Sequence, residues 1–193
     1  MRVTVDENDI VELYRRASAE FGKRVHAVEG RWDAPTPCAD WDVHTLVNHL
    51  VNEERWTPPL FAGARIEEVG DRFDGDLLGH DPVATWEQAA KEALEAIQAP
   101  GALSRTVHLS FGDHPGREYA TQLAADHLIH AWDLARAVGA DERLDPDAVD
   151  ALLPWFGPME DLYRQMGVIG PRRTVPEGAA PQDRLLAMFG RQP

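Results

Sequence analysis

The chain has 193 residues, enough for one domain with a core that needs no disulfide or metal staple. Apolar residues make up 44% of it and the formal net charge is −14. Such a charge repels phosphate backbones and anionic lipid surfaces, so neither nucleic acid nor a membrane is expected as a partner. No run approaches the roughly 18 consecutive apolar residues of a membrane helix. The opening MRVTVDENDIVEL lacks the basic and apolar regions of a secretory signal. Cys38 is the only cysteine, which rules out an internal disulfide and leads to the expectation of a reducing, cytoplasmic setting.

The first predicted element is a helix over residues 6–28, capped by Asp6, with Ile10, Leu13, Tyr14, Ala17, Phe21, Val25 and Val28 at helical spacing. APTPCADW breaks the pattern at Pro35 and Pro37. A second helix is expected from Val43 to Trp56, capped by Asp42 and ended by Pro58 and Pro59, with Val43, Leu46, Val47 and Leu50 inward. Residues 62–82 read as loop. A third helix over 83–98 presents Val83, Trp86, Ala90, Leu94 and Ile97 and stops at APG. RTVHLSF alternates and runs into GDHPG, the pattern of a short hairpin. The fourth helix spans Glu118 to Val138 and ends at Gly139. A fifth element opens at Pro146 and is broken at Pro154 and at Gly157-Pro158; residues 167–181 are linker-like, and PQDRLLAMFGR forms a short helix that docks Leu185, Leu186 and Phe189. Four main helices indicate an all-α helix bundle in a single domain over 1–193, with 167–193 as a C-terminal tail.

Two of these helices carry unusual polar groups. At 100° per residue, Asp126 and His130 stack at i and i+4 beside the apolar stripe of the fourth helix, while His127 falls within the stripe. On the second helix His49 and Glu53 stand at i and i+4 on the edge of the core. Bundles build metal sites from side chains on facing helices. Imidazole nitrogen and carboxylate oxygen suit zinc, nickel or iron, and three protein ligands leave open the position that marks a catalytic site. The plainer alternative, packed and hydrogen-bonded core histidines, is the commoner reading of such spacing. Glu53 and Asp133 read first as solvated helix charges, although Asp133 also has the spacing to orient a ligand histidine. His127 reads as a core or supporting residue, with its i, i+3 spacing to His130 keeping it in view as a ligand. The six tryptophans are core or site walls. No GxSxG, GxGxxG, P-loop or HExxH is present, and no feature supports a Cys38/His nucleophile. Cys38, more than two helical turns of chain from His49, is expected to lie out of reach of the site.

TPCADWDVHTLVNHLV (36–51) and DHLIHAWDLARAVGAD (126–141) resemble the DinB-like metal-binding superfamily. They resemble most its actinobacterial branch related to the mycothiol-dependent maleylpyruvate isomerase metal-binding domain. VPEGAAPQDRLLAMFGR (175–191) resembles the ending of single-domain members of that branch. The resemblance implies an antiparallel four-helix bundle with a short hairpin insertion and a docked C-terminal segment. It also implies a divalent metal, zinc first, held by His49, Asp126 and His130. The family pattern has Glu at the position of Asp126, one methylene longer, which leaves His127 open as the middle ligand. The isomerase carries a further C-terminal domain, whereas only 26 residues follow Gly167, so the site carries over more securely than the reaction. The expectation is a metal-dependent transferase or isomerase that uses a small thiol, mycothiol, on small electrophiles. The alternative is a non-catalytic metal- or ligand-binding accessory or stress module. A homodimer is left open, and a purely structural helical dimer without metal fits least well.

Overall fold

The structure, a computed structural model, describes residues 7–193. It is mostly helical with one two-stranded sheet, and it divides into two compact units with the boundary between Asp141 and Glu142. Among the described residues no helix is long and apolar enough to cross a membrane.

In the first unit, α1 (Glu7–His26) has Glu7 and Asp9 in its first turn and Lys23, Arg24 and His26 in its last, complementing the helix dipole. Its buried face includes Ile10, Tyr14, Ala17, Phe21 and Val25. The cap expected at Asp6 lies outside the described residues. Helix α2 (Val43–Phe61) starts as expected, with the Asp42 carboxylate accepting from the Thr45 amide at 2.8 Å. It does not stop at Pro58 and Pro59. Both prolines sit in its last turn, where their fixed φ is already helical and only two donors are lost. The Ala62 and Ala64 amides return to the Pro58 and Pro59 carbonyls at 3.0 Å, and Arg105 donates to the Phe61 carbonyl at 2.7 Å. The extra turn buries Leu60 and Phe61.

The segment expected to be loop contains a single helical turn, α3 (Ile66–Val69), which buries Val69. Helix α4 (Pro82–Gln98) is capped by Asp81, whose carboxylate accepts from the Ala84 amide at 3.0 Å. Its inward face is Trp86, Ala89, Ala93 and Ile97, one residue rotated from the expected Ala90 and Leu94. Trp86 sets that rotation: its indole lies over Gly22 of α1, where a Cβ would sit 2.9 Å from Nε1. The hairpin is present as β1 (Thr106–Leu109) and β2 (Gly112–Pro115), antiparallel, with Val107 opposite His114. Helix α5 (Gly116–Val138) follows directly and closes at Gly139, which takes the left-handed conformation at φ 65°. Helix α1 packs most extensively on α5 and α2 on α4, while α1 also meets α4 and α2 also meets α5. These contacts make a ring of four helices in which most residues of α5 are buried.

In the second unit, α6 (Pro146–Phe156) is capped by Asp145 and continues through Pro154 rather than breaking there. A short 3-10 turn over Gly157–Met159 leads to α7 (Glu160–Gln165), and an extended stretch then reaches α8 (Pro181–Met188). Helices α6 and α8 pack together, with Phe156 stacked on Phe189 at 3.9 Å between ring centres. Leu185, Leu186 and Phe189 are buried, as the apolar pattern implied.

Candidate metal centre

His49 projects from α2, and Asp126 and His130 project from α5. The two helices face each other here, and the structure brings these three side chains together. One ligand atom from each lies within 4.8 Å of the other two. His49 Nε2 is 3.1 Å from Asp126 Oδ2, and His130 Nε2 is 3.4 Å from Asp126 Oδ1. The two imidazole rings meet edge to face at 5.4 Å. His130 is buried, while His49 and Asp126 are half-buried, so the cluster opens to solvent on one side.

His127 is not part of this group. Its ring turns into the core, where Nδ1 donates to the Leu123 carbonyl at 2.5 Å and Nε2 lies 2.6 Å from Glu54 Oε1. The second contact is an ion pair without the alignment of a hydrogen bond. Glu54 also accepts from the Tyr14 hydroxyl at 2.6 Å. Burial draws the His127 imidazole down, but the Glu54 carboxylate outweighs it and the net displacement is upward. Tyr14 is pushed well above the usual phenol range, first by burial and then by the Glu54 charge, so it stays a donor. Glu54 was not picked out from the sequence, although at 100° per residue it falls within the Val43/Leu46/Val47/Leu50 face. A carboxylate within an apolar stripe is a signal of a buried partner.

Asp133 is fully buried, in contrast to its first reading as a solvated charge. Its Oδ2 lies 2.9 Å from His130 Nδ1. In the neutral ring, an Nδ1–H donated there leaves Nε2 with its lone pair toward Asp126 and His49, the arrangement by which an outer carboxylate fixes a ligand histidine. Glu53 is half-buried, and its carboxyl is raised by burial and by the Asp126 charge.

Cys38 also differs from expectation. Its Sγ lies 3.3 Å from Asp133 Oδ2 and 3.9 Å from His130 Nδ1. Distance along the chain misleads because the loop before α2 doubles back. The Val43 and His44 amides bond to the Ala34 and Trp32 carbonyls, and Pro35 pairs with Asp42. The Thr36 amide and hydroxyl both reach the Trp41 carbonyl, and the Cys38 amide bonds the Thr36 hydroxyl at 3.1 Å. This fold seats Cys38 behind His130. It also lays Trp41 against both histidine rings, 5.0 Å from His49 and stacked 5.9 Å from His130.

The charges follow from this packing. Burial opposes ionisation of Asp126, but His130 and His49 outweigh it and hold the carboxyl well below its usual range. Burial likewise opposes charge on His130, yet Asp126, with help from Asp133 and Cys38, raises it well above the usual imidazole range.

Two imidazoles and a carboxylate that converge from facing helices of a helical domain form a group that could hold a divalent cation. The chain belongs to the family described as the mycothiol maleylpyruvate isomerase N-terminal domain, whose family model matches residues 14–135. That span contains every residue of the cluster, Cys38 and Asp133 included. The chain is also similar to an uncharacterised protein of Mycobacterium tuberculosis strain CDC 1551 and to one of strain H37Rv. Each is 35% identical over 190 residues, covering 95% of this chain and 98% of the relative. No solved structure matches the chain.

Proposed function

We propose that the protein holds a divalent metal ion, zinc in the first instance, through His49 Nε2, His130 Nε2 and Asp126, and uses it with a small thiol in transfer to or isomerisation of small electrophiles. The observation that carries this reading is the convergence of these three ligand atoms within 4.8 Å on α2 and α5. Two nitrogens and one carboxylate oxygen suit zinc, nickel or iron. When bound, the ion supplies a positive charge that favours the thiolate form of a thiol. His49 and His130 are neutral ligands and Asp126 brings one negative charge, so the site retains net positive charge for an exogenous anion. Asp133 keeps the His130 proton on Nδ1, and Trp41 screens the imidazoles on one side. Mycothiol is the thiol suggested by the family description.

The same reading takes α1, α2, α4 and α5 as a DinB-like antiparallel four-helix bundle, and residues 1–193 as a single functional domain in which 167–193 is an appendage. It places the protein in a reducing cytoplasm, where Cys38 stays reduced. Metal analysis of protein prepared without a histidine tag tests the site: about one equivalent in the wild type and none in His130→Ala is expected. Consumption of a small thiol with a generic electrophile, with and without added metal, tests the reaction. Metal-independent consumption at the uncatalysed rate would leave only the alternative of a metal-binding module without catalysis.

A further inference from the structure

We propose a second, mutually exclusive cation site on the other face of the same imidazole: His130 Nδ1, Cys38 Sγ and Asp133 Oδ2 form a pocket for a thiophilic divalent cation, and filling it displaces an ion from the His49 side. The inference rests on the His49/Asp126/His130 reading for its exclusivity and on separate residues for the site itself.

The three donor atoms lie within 4.8 Å of one another. Their separations are 2.9 Å for Nδ1 to Oδ2, 3.3 Å for Sγ to Oδ2 and 3.9 Å for Sγ to Nδ1. A tetrahedral ion at usual zinc bond lengths spreads its ligands about 3.3 to 3.6 Å apart, so small shifts seat an ion among them. The donors differ in kind from those on the other side. A thiolate and a carboxylate neutralise a divalent charge completely, which suits the buried position of Asp133 and His130. Sulfur selects the softer, thiophilic cations. Cys38 lies on the half-exposed loop over residues 31–42 and provides the way in.

Exclusivity follows from the chemistry of one ring. A neutral imidazole carries one proton and offers one lone pair. With an ion on Nε2, the proton rests on Nδ1 and is donated to Asp133. With an ion on Nδ1, the proton moves to Nε2 and faces Asp126, and His49 and Asp126 lose their third partner. Holding both ions requires an imidazolate, which costs a second deprotonation. Binding at the second site releases the Cys38 thiol proton and any proton on Nδ1 to solvent; no electrons are exchanged.

Cadmium is the probe, because its thiolate bond gives an ultraviolet charge-transfer band, and cobalt reports the other site by its visible spectrum. In metal-free wild type and in His49→Ala, cadmium should raise the thiolate band to saturation at about one equivalent. Cys38→Ala should show no band and still bind cobalt. Added to cobalt-loaded wild type, cadmium should bleach the cobalt spectrum as the thiolate band grows. Cys38→Ala should need at least about tenfold more cadmium for the same bleaching, because losing a ligand costs no less than losing a partner of one. Absence of the band in His49→Ala, or a full band beside an undiminished cobalt spectrum, overturns the proposal. A wild type that takes no cobalt but shows the cadmium band in His49→Ala would refute the His49 reading and leave the second pocket standing without its switch.

Discussion

His130 is the residue on which the site turns, because each ring nitrogen faces a carboxylate: Asp126 at 3.4 Å and Asp133 at 2.9 Å. Replacing His130 with Ala should abolish stoichiometric metal, His49→Ala should abolish cobalt binding at the His49/Asp126/His130 cluster, and Asp126→Ala should weaken it there. Asp133→Asn keeps the volume but removes the charge that holds the Nδ1 proton, and should lower affinity about 10- to 100-fold by calorimetry. Unchanged affinity would mean that Asp133 does not orient the ring. The pH dependence has a definite sign. A folded His130 raised above the ordinary imidazole value of about 6.5 gives metal-free protein a stabilising contribution. It is fully present below that value and lost as pH rises through the folded one. Asp126, held low, contributes above the ordinary carboxyl range, and that contribution is lost as pH falls through its folded value. Metal competes with the proton on His130, so its affinity should fall with decreasing pH from a point above the unperturbed value. The rise in melting temperature on adding zinc should therefore be small at pH 6 and grow toward pH 8. An equal rise at both would argue against imidazole ligation. That His49, Asp126 and His130 come together was legible because helical spacing sets which side chains share a face and the family resemblance paired the two helices. Asp133 was misjudged because a wheel gives direction but not what covers it, and here the cover is the Cys38 loop.

Helices α1, α2 and α5 meet through Tyr14, Glu54 and His127, all fully buried. A charge removed from such a set leaves its partner without compensation. Glu54→Ala should cost about 3 to 5 kcal/mol in denaturant unfolding, and combining it with Tyr14→Phe should add less than the sum of the single effects. Strict additivity would show that the two groups do not act as a unit. Where α5 begins, the constraint is steric. A Cβ on Gly116 would lie 2.2 Å from the Ala102 carbonyl oxygen and 2.9 Å from the Phe61 ring, so Gly116→Ala should lose about 1 to 3 kcal/mol, the range for overpacking. Elements with strong periodicity, α1, α2, α4 and α5, were readable with ends displaced by a few residues. The errors have local causes. Pro58, Pro59 and Pro154 read as stops, but a proline at the end of a helix loses little, and neighbouring burial offsets it. The one-residue rotation of α4 depends on Trp86 meeting Gly22, a contact between elements that periodicity within one element does not contain. The α3 turn is too short to show a period.

At the scale of the whole chain, the fold is expected to form without the metal. The ring of α1, α2, α4 and α5 buries Tyr14, Phe21, Leu46, Leu50, Phe61, Leu128 and Trp132 without calling on the His49 cluster. Small metal-dependent folds lack such a core and unfold without their ion. Metal-free protein should accordingly keep its helical circular dichroism. Added ion should raise stability only by mass action, about 2.7 kcal/mol at a concentration one hundred times its Kd. The net charge of −14 adds a diffuse attraction for cations that salt screens, so specific binding should persist at an ionic strength that abolishes weak surface association. The site is built from three protein groups, one of them charged, whereas structural zinc sites close with four ligands. Cobalt bound at His49, Asp126 and His130 should therefore keep a position for an exogenous anion, and a small thiol should change its visible spectrum. The change should disappear in His49→Ala while the helical dichroism of that variant stays intact. Loss of helical dichroism on metal removal, together with a cobalt spectrum indifferent to thiols, would make the ion structural and end the case for thiol chemistry at this centre.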